Sequence, residues 1–231
     1  MDGAKRILQK LGLYRFAVAC YMRARYLRHR LTRSGYFRKT AITRACRAGP
    51  VRLHLGCGER LLPGWLNADI YHGDIYLDIT KSLPFPAASV DRAYSHHLIE
   101  HVELQQFVAF LSELARVMKP GGSLHFVTPD LDRLIAAYQN PLANQDLIAH
   151  YCQSTAFAHP VEMFNQELRQ NGEHRYIYNL DFLKFLFERA GFTNVRMVEY
   201  DHSPIPDLAG LDDHGYRIID RISLAVEAEK A

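Results

Sequence analysis

Several things are scarce in this 231-residue chain, and each scarcity closes a route. It has one Trp and only four cysteines, Cys20, Cys46, Cys57 and Cys152, no two of them close together. Such spacing makes neither a disulfide framework nor a cysteine zinc site, so reduced thiols are expected. Long hydrophobic runs are missing too. The most apolar early stretch, Leu11 to Met22, is short and contains Arg15, well below the ~20 apolar residues of a spanning helix. The start shows no uninterrupted apolar region with a small-residue cleavage site, so a cytoplasmic location is expected. With 48% hydrophobic and 23% charged residues, disorder, collagen and coiled coil are excluded as descriptions of the whole. The length suits one α/β domain with an appendage.

Acid is almost absent from the first 50 residues. Thirteen Lys and Arg stand there against Asp2 alone, net +12, while the remainder carries 15 basic and 24 acidic side chains, net −9. Gly49-Pro50 marks the seam, so residues 1–50 read as a basic, largely helical appendage and 51–231 as the main domain. Within the appendage Ile7, Leu11, Tyr14, Val18 and Met22 recur at helical spacing, with Arg15, Arg23 and Arg30 elsewhere. Such a helix can dock on the domain or a second subunit, lie on an anionic membrane, or grip nucleic acid. Charge alone leaves all three open.

From residue 51 onward, β-rich runs alternate with helical spacing. Strands are expected at Val51–Leu55, Trp65–Ile70, Ile75–Ile79, Ser89–Ser95, Ser123–Thr128, Val195–Tyr200 and Ile222–Ala228. Helices are expected over Glu103–Met118, stopped by Pro120-Gly121-Gly122, over Leu131–Tyr138, and over Leu180–Ala190 with Asn179 as cap and Gly191 beyond its end. Residues 139–178 read as polar and irregular. Interleaved strands and helices imply a mostly parallel sheet covered on both faces. Ligands of such sheets bind at the carboxyl ends of the strands, where Gly56-Cys57-Gly58, Asp69, Asp78 and Ser95-His96-His97 fall. A dinucleotide site wants G-x-G-x-x-G and an acid ~20 residues on; here Leu61 takes the third glycine position and Asp69 comes 11 residues after Gly58. NAD is disfavoured.

Five segments in order, Leu53–Gly58, Leu62–Asp69, Leu83–Pro86, His97–His101 and Arg116–Gly122, resemble the successive motifs of class I S-adenosylmethionine-dependent methyltransferases, most of all a compact bacterial branch with an LPGW-N-D segment. Arg189–Phe192 and Ser223–Lys230 resemble the last helix and antiparallel strand pair of that fold. The resemblance implies a Rossmann-like, mostly parallel sheet of about seven strands with a final antiparallel strand and helices on both faces, beside the N-terminal appendage. It implies that Gly56, Cys57 and Gly58 line the methionine part of S-adenosylmethionine, that Asp69 holds the ribose hydroxyls, that Asp78 lies near the adenine, and that His96 and His97 border the cofactor. Three departures stand out: His54 where the family has an acid, Arg60 at the usual third glycine, and only residues 59–64 before the second strand. Parallel crossovers take a dozen residues or more, so the helix after the glycine turn is expected to be missing or reduced to one turn.

His97-Leu98-Ile99-Glu100-His101 also matches H-x-x-E-H, the inverted zinc-protease motif. That reading wants a long helix centred on the motif and a further ligand downstream; the methyltransferase motifs account for these residues without metal, and no metal is expected. For a hydroxyl acceptor the transfer needs a base, and a histidine near pKa ~6.5 suits it. His97, His101 and His174 are the candidates, with His159, Tyr176 and Tyr178 beside them, and 139–178 is expected to cover the acceptor. The expected activity is methyl transfer to a hydroxyl or carboxyl of a small molecule or a glycan or lipid-linked sugar, at the inner membrane face through residues 1–50, as in polysaccharide biosynthesis. A non-catalytic scaffold and a nucleic-acid methyltransferase are the alternatives; Ser95-His96-His97-Leu98 replaces the Asn/Asp-Pro-Pro-aromatic motif of base methylation, which speaks against the second.

Overall fold

The computed structural model describes residues 14–152, 157–212 and 217–231. Helices α1 (Tyr14–Arg33) and α2 (Gly35–Ala48) lead into β1 (Arg52–Leu55), β2 (Leu66–Asp69), β3 (Ile75–Tyr76) and β4 (Val90–His96). Then come α3 (Leu104–Val117), β5 (Met118–Pro129), α4 (Leu131–Gln139), α5 (Gln145–Tyr151), α6 (Pro160–Arg169), α7 (Leu180–Arg189), β6 (Phe192–Val198), α8 (Arg217–Asp220) and β7 (Ser223–Lys230). The strands form one sheet in the order β3-β2-β1-β4-β5-β7-β6. All run parallel except β7, which is antiparallel to both neighbours. The chain winds outward from β1 to β3 and then crosses back to β4, so the switch point lies between the carboxyl ends of β1 and β4.

One face is apolar. Leu53, Leu55, Ala93, Leu124, Phe126 and Val226 lie on it, and Phe126 meets Phe110 of α3 and Phe187 of α7. α3 forms because Phe107, Phe110, Leu111, Leu114 and Val117 make one buried stripe, and Glu103 and Gln106 close a capping box at its start. Asn179 caps α7 by accepting the Phe182 N–H at 3.1 Å.

β1 and β2 are joined without a helix. Residues 56–65 return the chain through turns, the Arg60 N–H on the Cys57 carbonyl (3.0 Å) and the Trp65 N–H on that of Leu62 (3.2 Å). Ten residues reach ~33 Å when extended, ample to retrace a four-residue strand of ~13 Å. Asn67 fastens this turn string. Its Oδ1 accepts from the Leu62 N–H (2.8 Å) and His54 Nδ1 (3.0 Å), and its Nδ2 donates to the Leu62 and Trp65 carbonyls (both 3.2 Å) and to Asp74 (3.1 Å). The β2–β3 link is shorter still, and Gly73 lets it close: a Cβ there would stand 2.5 Å from the Asn67 carbonyl oxygen and 2.9 Å from Cys57 Sγ, at φ +83°.

The edge strand β3 is only two residues long, and α1 and α2 lie against it. The Tyr26 and Tyr76 hydroxyls bond at 3.1 Å, Arg25 reaches His72 Nδ1 at 2.9 Å, and buried Ile42 joins the main core. Over its described part the appendage therefore docks on the domain, covering an edge that would otherwise be open; Ile7 and Leu11 of its expected stripe lie outside the described residues.

The opposite face carries a polar row. Asn67, His54, Tyr94, His125, Glu227 and Arg196 are successive cross-strand partners over β2, β1, β4, β5, β7 and β6. The stretch from Glu199 to Asp212 folds over it. Asp212 accepts from His125 Nε2 (2.9 Å) and Glu227 from His125 Nδ1 (3.2 Å), while Glu227 also takes Arg196 (2.7 Å) and the Ser203 hydroxyl. Burial disfavours the His125 charge, but the two carboxylates outweigh it and hold its pKa at about 9.

Several expectations change; the third strand stops at Tyr76 rather than Ile79, and the sixth spans Phe192–Val198 rather than Val195–Tyr200. Residues 139–178 are not irregular: α5 and α6 lie there and pack with α4 around Leu134, Leu147, Ile148, Met163 and Ile222. Their period is hard to see because α6 buries a charged residue, Glu167, beside Met163. The fifth strand starts at Met118 rather than Ser123, because Met118 pairs with Val90 across a register shift.

Asn67→Ala should strand buried donors at Leu62 and His54 and lower the unfolding free energy by about 3 kcal/mol, read by denaturant titration. The His125 cluster predicts a pH effect of definite sign. Its raised pKa gives stability that is whole below about pH 6.5 and lost as pH rises through about 9, worth up to ~3 kcal/mol. Wild type should lose that much more stability between pH 6.5 and 9.5 than His125→Gln/Asp212→Asn; parallel curves would refute the charge assignment.

Candidate functional site

The carboxyl ends of β1 and β2 make the first half of the site. Gly56 and Gly58 both adopt left-handed backbone, φ +63° and +51°, which side-chain-bearing residues avoid. Leu98 sits over Gly56, where a Cβ would approach it to 2.9 Å, while the space beside Gly58 is open. The Asp69 carboxylate closes the turn, accepting the Gly58 N–H (3.2 Å) and the Tyr71 N–H (2.6 Å). Asp69 is partly exposed, so lone pairs of its carboxylate remain open at the rim. The glycine turn and the acid thus share one rim, as the sequence required.

Cys57 contributes less. Its N–H is taken up by the Ala68 carbonyl (3.2 Å), its side chain is buried, and burial, with Asp69 nearby, pushes the thiol up to about 12. Asp78 accepts the Thr80 N–H (3.0 Å) and hydroxyl (2.7 Å), capping its own turn. α1 adds a wall the sequence did not reveal: His29 is buried within electrostatic reach of Asp69, and burial lowers its pKa. His54 faces away from the rim toward Asn67, and burial lowers it to about 4, so it is neutral.

The second half follows β4. His96 Nε2 donates to the Tyr200 oxygen (2.8 Å), whose own hydrogen goes to the Asp212 carbonyl (2.8 Å); His96 thereby anchors the segment over the polar row. His97 is held at φ +51°, a strained conformation for a non-glycine residue. Its N–H meets the Val127 carbonyl at 2.9 Å, its Nδ1 lies 2.9 Å from Glu100 Oε1, and its Nε2 lies 3.2 Å from the Ser223 hydroxyl. Ser223 gives its hydrogen to the Ile219 carbonyl, which leaves its oxygen to accept from His97 Nε2, while Nδ1 faces the Glu100 carboxylate as an ion pair. Burial opposes that charge, Glu100 outweighs it, and the His97 pKa is raised. Glu100 is fully buried; burial alone would raise its pKa, but the His97 charge lowers it.

His101 and His174 keep lone pairs. His101 Nδ1 donates to the Glu173 carbonyl (3.3 Å) and His174 Nδ1 to that of Glu167 (2.5 Å), leaving Nε2 of each ring. The two rings meet edge to face at 5.0 Å. His174 arrives there because the Arg175 and Tyr176 N–H groups both bond the Glu100 carbonyl (2.7 and 3.2 Å). His159 instead caps α6 through the Val161 N–H, and Tyr178 is buried against Phe107. The sequence brought the histidines into view but not Glu100 as their common partner, because that depends on a strand–turn geometry 74 residues before His174.

A family model described as a methyltransferase domain matches residues 53–126. Among solved structures, the chain is similar to a SAM-dependent methyltransferase from Archaeoglobus fulgidus (18% identity, 89% of this chain and 99% of that one, TM-score 0.47). It is also similar to an S-adenosylmethionine-dependent methyltransferase from Mesorhizobium loti (19% identity, 82% and 98%, TM-score 0.47). No curated protein matches the chain.

Proposed function

We propose that this chain, whose residues 53–126 match a methyltransferase domain, is an S-adenosylmethionine-dependent methyltransferase that transfers the methyl group to a hydroxyl or carboxyl oxygen of a small molecule or of a glycan or lipid-linked sugar, with its basic helices turned toward an anionic membrane. The observation that carries the donor half is the bond from Gly58 N–H to the Asp69 carboxylate, which joins a side-chain-free backbone turn to an acid with open lone pairs. That donor set fits the cofactor: Asp69 suits the ribose hydroxyls, and Gly56 and Gly58 leave room for the amino-acid end. When bound, S-adenosylmethionine supplies a methyl group on a positively charged sulfur.

The chain's own part is then to orient the acceptor and draw off its proton. The cluster of Glu100, His101 and His174 supports an oxygen acceptor, since it offers a buried carboxylate and two imidazole lone pairs beside the turn that carries Leu98. His97 is a positioning residue, pairing the charge of Glu100. Residues 139–178 would border the acceptor, residues 51–231 carry the chemistry, and residues 1–50 set its place in the cell.

The membrane reading is supported by Phe16, Tyr21, Leu31, Tyr36 and Phe37, exposed on α1 and α2 among exposed Arg23, Arg28, Arg30, Arg33, Arg44 and Arg47. Aromatic side chains at headgroup level with arginines in the phosphate layer bind anionic surfaces. No helix among the described residues is long and apolar enough to cross a membrane.

Asp69→Ala should weaken S-adenosylhomocysteine binding roughly 10- to 100-fold in calorimetry, matching the loss of a hydrogen bond to a charged group, and should lower the melting temperature as well, because the same carboxylate accepts the Gly58 and Tyr71 N–H groups. Purified protein given methyl-labelled cofactor and bacterial extract fractions should label membrane-associated glycan or lipid. An ester product would lose the label in mild alkali and an ether product would keep it; label confined to nucleic acid would overturn the acceptor assignment.

A further inference from the structure

We infer that Glu100, His101 and His174 form a binding site for one divalent first-row transition-metal ion. A nitrogen of each ring and a carboxylate oxygen of Glu100 lie within 4.8 Å of one another. Two imidazoles and one carboxylate are a ligand set such ions accept, and three protein ligands leave a coordination position open.

The surroundings point the same way. His174 is 7% exposed and its Nε2, though buried, has no hydrogen-bond partner. A polar atom left so is costly without a ligand. Both rings give Nδ1–H to a backbone carbonyl, Glu173 for His101 and Glu167 for His174. Those two hydrogen bonds fix the tautomer of each ring and leave Nε2 as the nitrogen that can meet a metal. The Glu100 carboxylate is positioned by His97 Nδ1 at Oε1 (2.9 Å) and by the Thr128 hydroxyl at Oε2 (3.2 Å). The Tyr178 hydroxyl, within electrostatic reach of Glu100, is likewise buried and unpartnered. His101 is partly exposed, giving the ion a way in.

This geometry differs from the inverted zinc-protease pattern. The motif lies on a three-residue 3-10 turn, Ile99–His101, not on a long helix, so His97 and His101 do not share a face. His97 is occupied by Glu100 and Ser223, and His174, brought in by the Glu100 carbonyl, takes the second imidazole position. An ion there would occupy the two imidazole lone pairs and so replace their part as base: it would lower the pKa of a coordinated acceptor hydroxyl, whose proton would pass to water; in that respect the inference rests on the oxygen-acceptor reading.

The test is direct binding to the full chain. Zn²⁺ and Mn²⁺ are titrated against a chromophoric chelator, and bound metal is counted after dialysis. One equivalent of Zn²⁺ is expected in wild type, with affinity reduced at least tenfold in His101→Ala and in His174→Ala and unchanged in His202→Ala, which removes an exposed histidine remote from the cluster. S-adenosylhomocysteine binding, measured alongside, shows that each variant is folded. It also separates the two readings, since donor binding can fail while metal binding holds, or the reverse. If His174→Ala does not fold, His101→Ala decides alone. Equal Zn²⁺ affinity in wild type and His101→Ala, or no stoichiometric metal in wild type, would overturn the site.

Discussion

The hydrogen bonds of the Asn67 carboxamide hold the glycine turn where it can serve a ligand. β1 and β2 run side by side in the same direction, and residues 56–65 between them form no helix. With so little chain to spare, the turns gain their order from a side chain on the next strand, which binds Leu62, Trp65, His54 and Asp74 together. The same strand ends two residues later in Asp69, which bonds Gly58. Turn and acid are thus fixed to one strand, and their spacing at the rim follows from it.

Stripping helices from the crossovers has consequences on both sides. The short edge strand is covered by α1 and α2, which come from before the sheet in sequence and bring His29 close to Asp69. The far face of the sheet is lined with polar side chains instead of the apolar ones a packed helix demands. His54, Tyr94, His125 and Glu227 form that row, and a loop segment, fastened by Asp212 and Ser203, lies over it. Buried ion pairs give less stability than apolar packing of equal size but fix a geometry, and here they fix a segment that also reaches His96 at the rim.

Much of this was legible in the sequence. The glycine turn, Asp69, the absence of the first crossover helix and the capping of α7 by Asn179 are local features, set by residues close together in the chain. What was not legible depends on distant partners. His125 meets residues 87 and 102 positions away. His174 reaches Glu100 only through backbone bonds between a 3-10 turn and a remote loop. Asn67 looked like part of a motif, and its work as a clamp emerges only once the turn is folded around it. Asp78 lies two residues beyond the short third strand, where it caps its own turn through Thr80.

The central claim is that the donor nucleoside sits against residues 56–58 and Asp69. Amide hydrogen exchange with and without S-adenosylhomocysteine tests it most directly. Slower exchange concentrated in peptides covering 56–60 and 69–73 is the predicted result. Protection confined to other segments, with these two unchanged at saturating ligand, would contradict the account.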